Sequence, residues 1–137
     1  MDDRPYKVRR DFRVMTYDVD FAGIMSNQVY QRWLEDLRTD MLSQFADIGE
    51  LMREGTVPVL AHMEIDFKRP ARLMDTVRGE IWVEELMGPR WALRSEFRIG
   101  DKVIARAFQW GMFVDTADFR PMDAPPSIPK VSPQGKR

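Results

Sequence analysis

The chain has 137 residues, a length that suits one domain with a substantial core. Its 22 acidic and 21 basic residues leave a formal net charge of −1, so no basic surface for nucleic acid or an anionic membrane is indicated. There is no cysteine, which excludes disulfides, thiolate nucleophiles and cysteine-based metal sites. There is one histidine, His62. The charged start, residues 1–5, is unlike a signal peptide, and no apolar run reaches the roughly 20 residues of a membrane span. A cytoplasmic protein is expected.

The first part of the chain predicts one strand followed by one long helix. Apolar residues alternate with charged ones over residues 6–17, which indicates a half-buried strand. From Asn27 the apolar spacing becomes helical and continues to about Phe45. Ser26 or Asn27 is the expected N-cap of this helix, because a short side-chain oxygen can accept from the first free amides. A second, short helix is expected from an Asp47 cap to Arg53.

The rest of the chain predicts β-structure and then an extended tail. Four further runs alternate in the manner of strands and are separated by glycine and proline turns. They cover about residues 59–68, 75–86, 91–99 and 102–114. The last run is apolar on both faces, which is typical of a strand covered on both sides. Residues 121–137 are rich in proline and poor in large apolar residues, so we expect an extended or disordered tail.

This order of elements predicts an α+β domain over residues 1–120, in which a five-stranded antiparallel sheet wraps around one long helix. The outer face of such a sheet also carries apolar residues. The simplest cover for that face is another copy of the chain, so a closed homo-oligomer is expected.

The stretch from Tyr17 to Tyr30 is the best candidate for chemistry. Two carboxylates, Asp18 and Asp20, leave the first strand, a glycine permits a tight turn, and a helix follows. The free N–H groups and positive dipole end of that helix could stabilise an oxyanion, and a carboxylate just before it could attack a carbonyl or take a proton from water. Asp-rich strand exits are also common in plain turns, so a purely structural role is the alternative for both acids.

With these residues laid out, the sequence resembles the hot-dog-fold thioesterases of the 4-hydroxybenzoyl-CoA thioesterase type. The match is carried by Asp18-Val19-Asp20-Phe21-Ala22-Gly23 and by its continuation through Asn27 and Tyr30 to Glu35. Residues 64–71 and 83–86 also look like strands of that family, and the resemblance covers about residues 7–120.

The resemblance implies an acyl-CoA thioesterase with the hot-dog fold and its active site between protomers of a dimer or tetramer. It implies Asp20 as the catalytic group, acting as nucleophile or as general base, and backbone amides near Asn27 that face the thioester carbonyl. Asp18 is expected to be structural. The other residues expected to bind substrate are Gly23, Ile24, Met25, Ser26, Tyr30, Lys68, Arg69 and Arg72. No metal and no cofactor are expected, because coenzyme A belongs to the substrate.

Several alternatives stay open at this point. Tyr30 could instead be a core residue of the helix, Lys68, Arg69 and Arg72 a solvated turn, and Glu35 the base in place of Asp20. His62 is expected on the surface or at an interface. An acyl-carrier-protein thioesterase and a non-catalytic acyl-thioester binder are the rival functions. The family's branches differ at Ile24, Ser26 and Asn27, and this chain follows none of them completely, which leaves the acyl group open.

Overall fold

A computed structural model describes residues 4–133, which form one five-stranded antiparallel sheet and two helices. The helices are α1 (Val29–Leu42) and α2 (Ile48–Arg53). The strands are β1 (Val8–Arg13), β2 (Thr56–Phe67), β3 (Thr76–Met87), β4 (Arg90–Ile99) and β5 (Lys102–Asp115). They lie in the order β1-β3-β4-β5-β2, which confirms the predicted α+β architecture. The expectations for residues 1–3 and 134–137 lie outside the described part of the chain.

The long helix packs its apolar face on the sheet. Leu34 and Leu37 are completely buried, and Tyr30, Trp33 and Phe97 meet through their rings. Truncating a buried leucine of this kind to alanine typically costs about 2–5 kcal/mol. The half of the interior near the start of α1 is therefore filled by a tight aromatic core.

The predicted end of the first strand, near the candidate site, is wrong. The first strand ends at Arg13 rather than Tyr17, and Thr16–Asp18 form a single 3-10 turn. Asp18 causes this break, because its carboxylate accepts from the Met15 amide at 3.0 Å while its own amide donates to the Met15 carbonyl at 2.9 Å. A local side-chain bond of this kind competes with strand pairing.

The ends of the helices also differ in part from expectation. The residue before α1 is Gln28, so neither Ser26 nor Asn27 is its N-cap, and α1 ends at Leu42 rather than near Phe45. The cap of α2 is confirmed, since the Asp47 carboxylate accepts from the Glu50 amide at 3.2 Å.

The outer face of the sheet is partly covered by arginines of the same chain. Three guanidinium groups lie over aromatic rings at 4.0–4.7 Å from the ring centres. The pairs are Arg4 over Trp82, Arg90 over Trp110 and Arg94 over Phe108. Cation–π stacking therefore supplies part of the cover that the sequence analysis assigned to a second copy.

The proline-rich segment returns along the domain as far as the structure describes it. Val131 and Leu86 exchange backbone hydrogen bonds at 2.9 and 2.8 Å, and Ile128 is buried in the core cluster. Neither helix found between residues 4 and 133 is long and apolar enough to cross a membrane.

Candidate active site

The segment between β1 and α1 is a loop that folds back on itself. The Ser26 amide donates to the Asp18 carbonyl at 2.9 Å, and the Asp20 amide donates to the Ile24 carbonyl at 3.1 Å. At its tip, the Gly23 amide closes a turn on the Asp20 carbonyl at 3.0 Å. Gly23 has φ +75°, a left-handed conformation that glycine adopts without strain. The predicted turn is therefore present, and it brings Asp20 and the start of α1 into one small unit.

Asp18 holds this loop from inside. Its side chain is almost completely buried, and one carboxylate oxygen binds the Met15 amide while the other binds Arg32 Nη2 at 2.7 Å. Both oxygens are thus occupied by partners of the same chain. This arrangement fits the structural role expected for Asp18.

Asp20 is exposed at the tip of the loop. Its Oδ1 accepts from the Ala22 amide at 2.9 Å, an i to i+2 bond that is common for aspartate in turns. Within residues 4–133, Oδ2 has no hydrogen-bond partner. The carboxylate does not bind the amides that open α1, so it does not neutralise them. Asp20 therefore stabilises the turn through Oδ1, and its Oδ2 is still available for chemistry.

The start of α1 offers fewer free amides than the sequence analysis expected. The Gln28 amide donates to Ser26 Oγ at 3.2 Å, the Val29 amide to the Ser26 carbonyl at 3.1 Å, and the Tyr30 amide to the Asn27 carbonyl at 3.4 Å. The Asn27 amide has no acceptor in the described part of the chain. The expected oxyanion donors near Asn27 therefore reduce to this one N–H, beside the positive end of a 14-residue helix.

The basic turn after β2 lies against the same loop. Arg72 forms a β-bridge with Ile24, and the amides of Met25 and Leu73 bond to carbonyls across the contact, at 2.8 and 3.1 Å. Lys68 and Arg69, on the same turn, are exposed like Arg72. Arg72 therefore stands next to the loop that carries Asp20, and Lys68 and Arg69 precede it on the same turn.

The remaining predicted site residues are less accessible. Met25 is buried, Ile24 and Ser26 are half-buried, and Tyr30 is 2% exposed within the aromatic core. Burial raises the pKa of the Tyr30 hydroxyl to about 12. In this single chain Tyr30 is thus a core residue, which was the alternative for it. His62 is exposed on β2, with Nε2 2.9 Å from a carboxylate oxygen of Glu64.

An apolar cavity lies elsewhere in the domain. It measures about 240 Å³ and sits under the second half of α1, away from Asp20 and Asn27, which are not part of its wall. Its wall includes Glu35, the alternative base, together with Arg38 and Trp91. No motif or spacing in the sequence pointed to these last two, or to the buried Gln109 that Arg38 binds. Gln109 could have been noticed as an uncharged polar residue among the small and apolar residues of one face of β5.

Comparison with known families identifies the chain. A family model described as the thioesterase-like superfamily matches residues 14–131, so the chain belongs to that superfamily and to the class of thioester hydrolases. No curated protein sequence matches it.

Solved structures share the hot-dog fold at low identity. A DHNA-CoA thioesterase from Staphylococcus aureus has a TM-score of 0.79 and 15% identity, over 85% of this chain and 80% of that one. A gentisyl-coenzyme A thioesterase has a TM-score of 0.79 and 22% identity, over 88% and 98% of the two chains. A 1,4-dihydroxy-2-naphthoyl-CoA thioesterase from Synechocystis has a TM-score of 0.80 and 18% identity, over 88% and 91%. The predicted family and fold are thereby confirmed.

Proposed function

We propose that this protein hydrolyses acyl thioesters of coenzyme A, releasing a free acid and the thiol. The observation that supports the proposal most is the pairing, in one loop, of an exposed carboxylate with an unoccupied amide. Asp20 has one free carboxylate oxygen, and the Asn27 N–H at the start of α1 has no acceptor among the described residues. Thioester hydrolysis needs a group that attacks the carbonyl or activates water and a donor for the oxyanion, and these two groups can take those roles.

In the proposed reaction, the Asn27 amide donates to the thioester oxygen as it becomes negative. A single well-placed donor of this kind is typically worth about 3–4 kcal/mol in the transition state. Asp20 either attacks the carbonyl carbon or removes a proton from the attacking water, and the two roles stay open. The coenzyme A thiolate then leaves, and water supplies the oxygen of the product acid. A thiolate leaves readily, so the proposal needs no histidine as general acid.

We assign the phosphates of coenzyme A to the basic turn. Lys68, Arg69 and Arg72 are exposed, and the bridge between Arg72 and Ile24 holds the turn beside the catalytic loop. Arginine and lysine are the side chains that most often bind phosphate, through charge-assisted hydrogen bonds. The same turn would be merely solvated if the protein did not bind coenzyme A.

A second copy of the chain is part of the proposal. The 12-residue strand β2 is at the edge of the sheet, and most of its residues are exposed. Its outer side pairs with no other strand between residues 4 and 133. Phe21, next to Asp20, is fully exposed, and Tyr17 is 77% exposed. Exposed aromatics and a long free edge are features that proteins usually cover. A dimer or a tetramer would cover them and bring partner residues to the catalytic loop, and light scattering distinguishes both from a monomer.

The acyl group is tested by measuring thiol release from a panel of acyl-CoAs. The panel contains short, long and hydroxyaromatic acyl groups, because a gentisyl-CoA thioesterase and a 1,4-dihydroxy-2-naphthoyl-CoA thioesterase are among the structural neighbours. Turnover of at least one member is expected. Binding of the panel without any turnover would contradict the hydrolase proposal and favour the non-catalytic binder.

Parallel assays on acyl-carrier-protein thioesters separate the two carriers, since both present the same pantetheine arm. The cytoplasmic location stays a prediction.

A further inference from the structure

Three buried polar groups without partners lie together on the inner face of the sheet. Within residues 4–133, Trp91 Nε1, Ser95 Oγ and Gln109 Nε2 are buried and have no hydrogen bond. Gln109 on β5 pairs with Leu93 on β4, so Trp91 and Ser95 are its two diagonal neighbours on the same face. Native proteins leave only a few buried polar groups unsatisfied per hundred residues. Three at adjoining positions therefore indicate a place where something else binds.

A half-buried cation binds one of these side chains. Arg38, on α1, donates from Nη1 to the Gln109 Oε1 and lines the cavity. It has no ion pair in the described part of the chain. Burial lowers the pKa of its guanidinium, and the negative charge of Glu35 acts in the opposite direction. Glu35 is exposed and lies on the same cavity wall, but it forms no ion pair with Arg38.

The rest of the wall is mostly apolar. Its carbon-rich residues come from the second half of α1, from four strands or their neighbouring turns and from the returning C-terminal segment. They include Leu42, Phe45, Leu86, Leu93, Phe113 and Ile128. A volume of about 240 Å³ holds roughly eight water-sized groups, or a chain of roughly ten heavy atoms. Of the three unpartnered groups, only Trp91 belongs to a residue of this wall, which also carries Arg38 and the exposed Glu35. An apolar cavity with a cation and one unused N–H donor on its wall fits a ligand that has an apolar body and an anionic end.

We propose that this cavity binds an amphipathic carboxylate of roughly ten heavy atoms, with its carboxylate at Arg38 and Trp91 and its chain along the apolar wall. Arg38 lies about 14 Å along the axis from the first residue of α1, so the bound carboxylate is not the group that reacts at Asn27. The ligand is either a free acid or the distal carboxylate of an acyl group that is attached to coenzyme A at its other end. The second source depends on the proposed function, and the first does not.

Binding is tested with octanoate and with 1-octanol, its neutral counterpart. Isothermal titration of the wild-type protein is expected to show octanoate bound about tenfold or more tightly, as charge-assisted hydrogen bonds imply. Arg38→Met is expected to abolish this preference while the affinity for 1-octanol stays the same. Arg53→Met, which removes an exposed arginine outside the cavity wall, is the matched control and should keep the preference.

A second readout needs no variant at Arg38. In ¹⁵N spectra the Trp91 indole N–H, assigned with Trp91→Phe, should move downfield on addition of octanoate, because it gains an acceptor. Equal affinities for the two probes, no binding of octanoate at millimolar concentration, an unmoved Trp91 signal, or an unchanged preference in Arg38→Met would each overturn the proposal.

The two sources are separated by turnover of octanoyl-CoA and octanedioyl-CoA. A distal carboxylate at Arg38 predicts that Arg38→Met raises KM for octanedioyl-CoA alone. If the ligand is a free acid, Arg38→Met should change neither KM, while the wild-type protein still prefers octanoate to 1-octanol. If neither thioester is hydrolysed, the proposed function fails on these substrates, while the titration and the Trp91 signal still decide the cavity.

Discussion

The buried carboxylate of Asp18 makes a quantitative prediction about the loop that carries Asp20. Asp18→Ala removes two bonds, one to the Met15 amide at 3.0 Å and one to Arg32 at 2.7 Å. The arginine side chain is 62% exposed, so its pairing contributes at most about 1 kcal/mol after solvent screening. The Met15 amide loses a charged acceptor, which typically costs about 1–3 kcal/mol. Together these terms give a loss of about 1–4 kcal/mol.

Urea unfolding followed by circular dichroism measures this loss as a lower transition midpoint with an unchanged slope. Asp18→Asn keeps an oxygen that can accept from Met15, so it should cost about 1 kcal/mol, mainly the lost charge. Arg32→Met should also cost less than Asp18→Ala. If Asp18→Asn were as damaging as Asp18→Ala, or if Asp18→Ala cost less than about 0.5 kcal/mol, the assignment of Asp18 as the anchor of the loop would be refuted.

Two further predictions concern the Asn27 amide at the start of α1 and the pH dependence of the stability that Glu96 contributes. Asn27→Pro removes the unoccupied amide and should lower kcat about 10²–10³-fold, whereas Asn27→Ala keeps the amide and should stay near the wild-type rate. Circular dichroism checks that both variants fold. Equal rates for the two variants would exclude the Asn27 amide as the oxyanion donor. At Glu96, burial raises the pKa but hydrogen bonds from two arginines outweigh it, so the pKa lies below its ordinary value. Stability from Glu96 is therefore present above the unfolded-state pKa and is lost as the pH falls through the folded-state pKa. The difference in unfolding free energy between wild type and Glu96→Gln should thus shrink from pH 7 towards pH 3, and a constant difference would contradict this.

The periodic parts of the sequence predicted most of the fold. The helical spacing from Tyr30 to Met41 and the alternation in the strands follow directly from which face is buried, and the structure has both. Gly23 was predicted to turn the chain and does so with a positive φ. These features depend on nearby residues, so a single sequence contains the information for them.

Features that depend on distant residues or on fine local geometry were missed. The Arg38–Gln109 bond joins residues 71 positions apart, and no periodicity relates them. The first strand was predicted too long because the bond from Met15 to Asp18 outcompetes pairing, and alternation does not report such a bond. The number of free amides at the start of α1 likewise depends on how the turn at Ser26 closes. The sequence predicted the turn before α1, and the structure leaves the Asn27 N–H as the one amide at the start of α1 without an acceptor among the described residues.

The central claim is that the free carboxylate oxygen of Asp20 takes part in catalysis, and one comparison tests it most directly. Asp118 offers a matched control, because it is also exposed and its Oδ1 also accepts from the amide two residues on, at 3.0 Å. On the best substrate of the acyl-CoA panel, Asp20→Asn should reduce kcat/KM by about 10²–10⁴-fold with the fold intact, and Asp118→Asn should leave it near the wild-type value. Asp20→Asn at a wild-type rate would contradict the account and leave Asp20 as a turn residue.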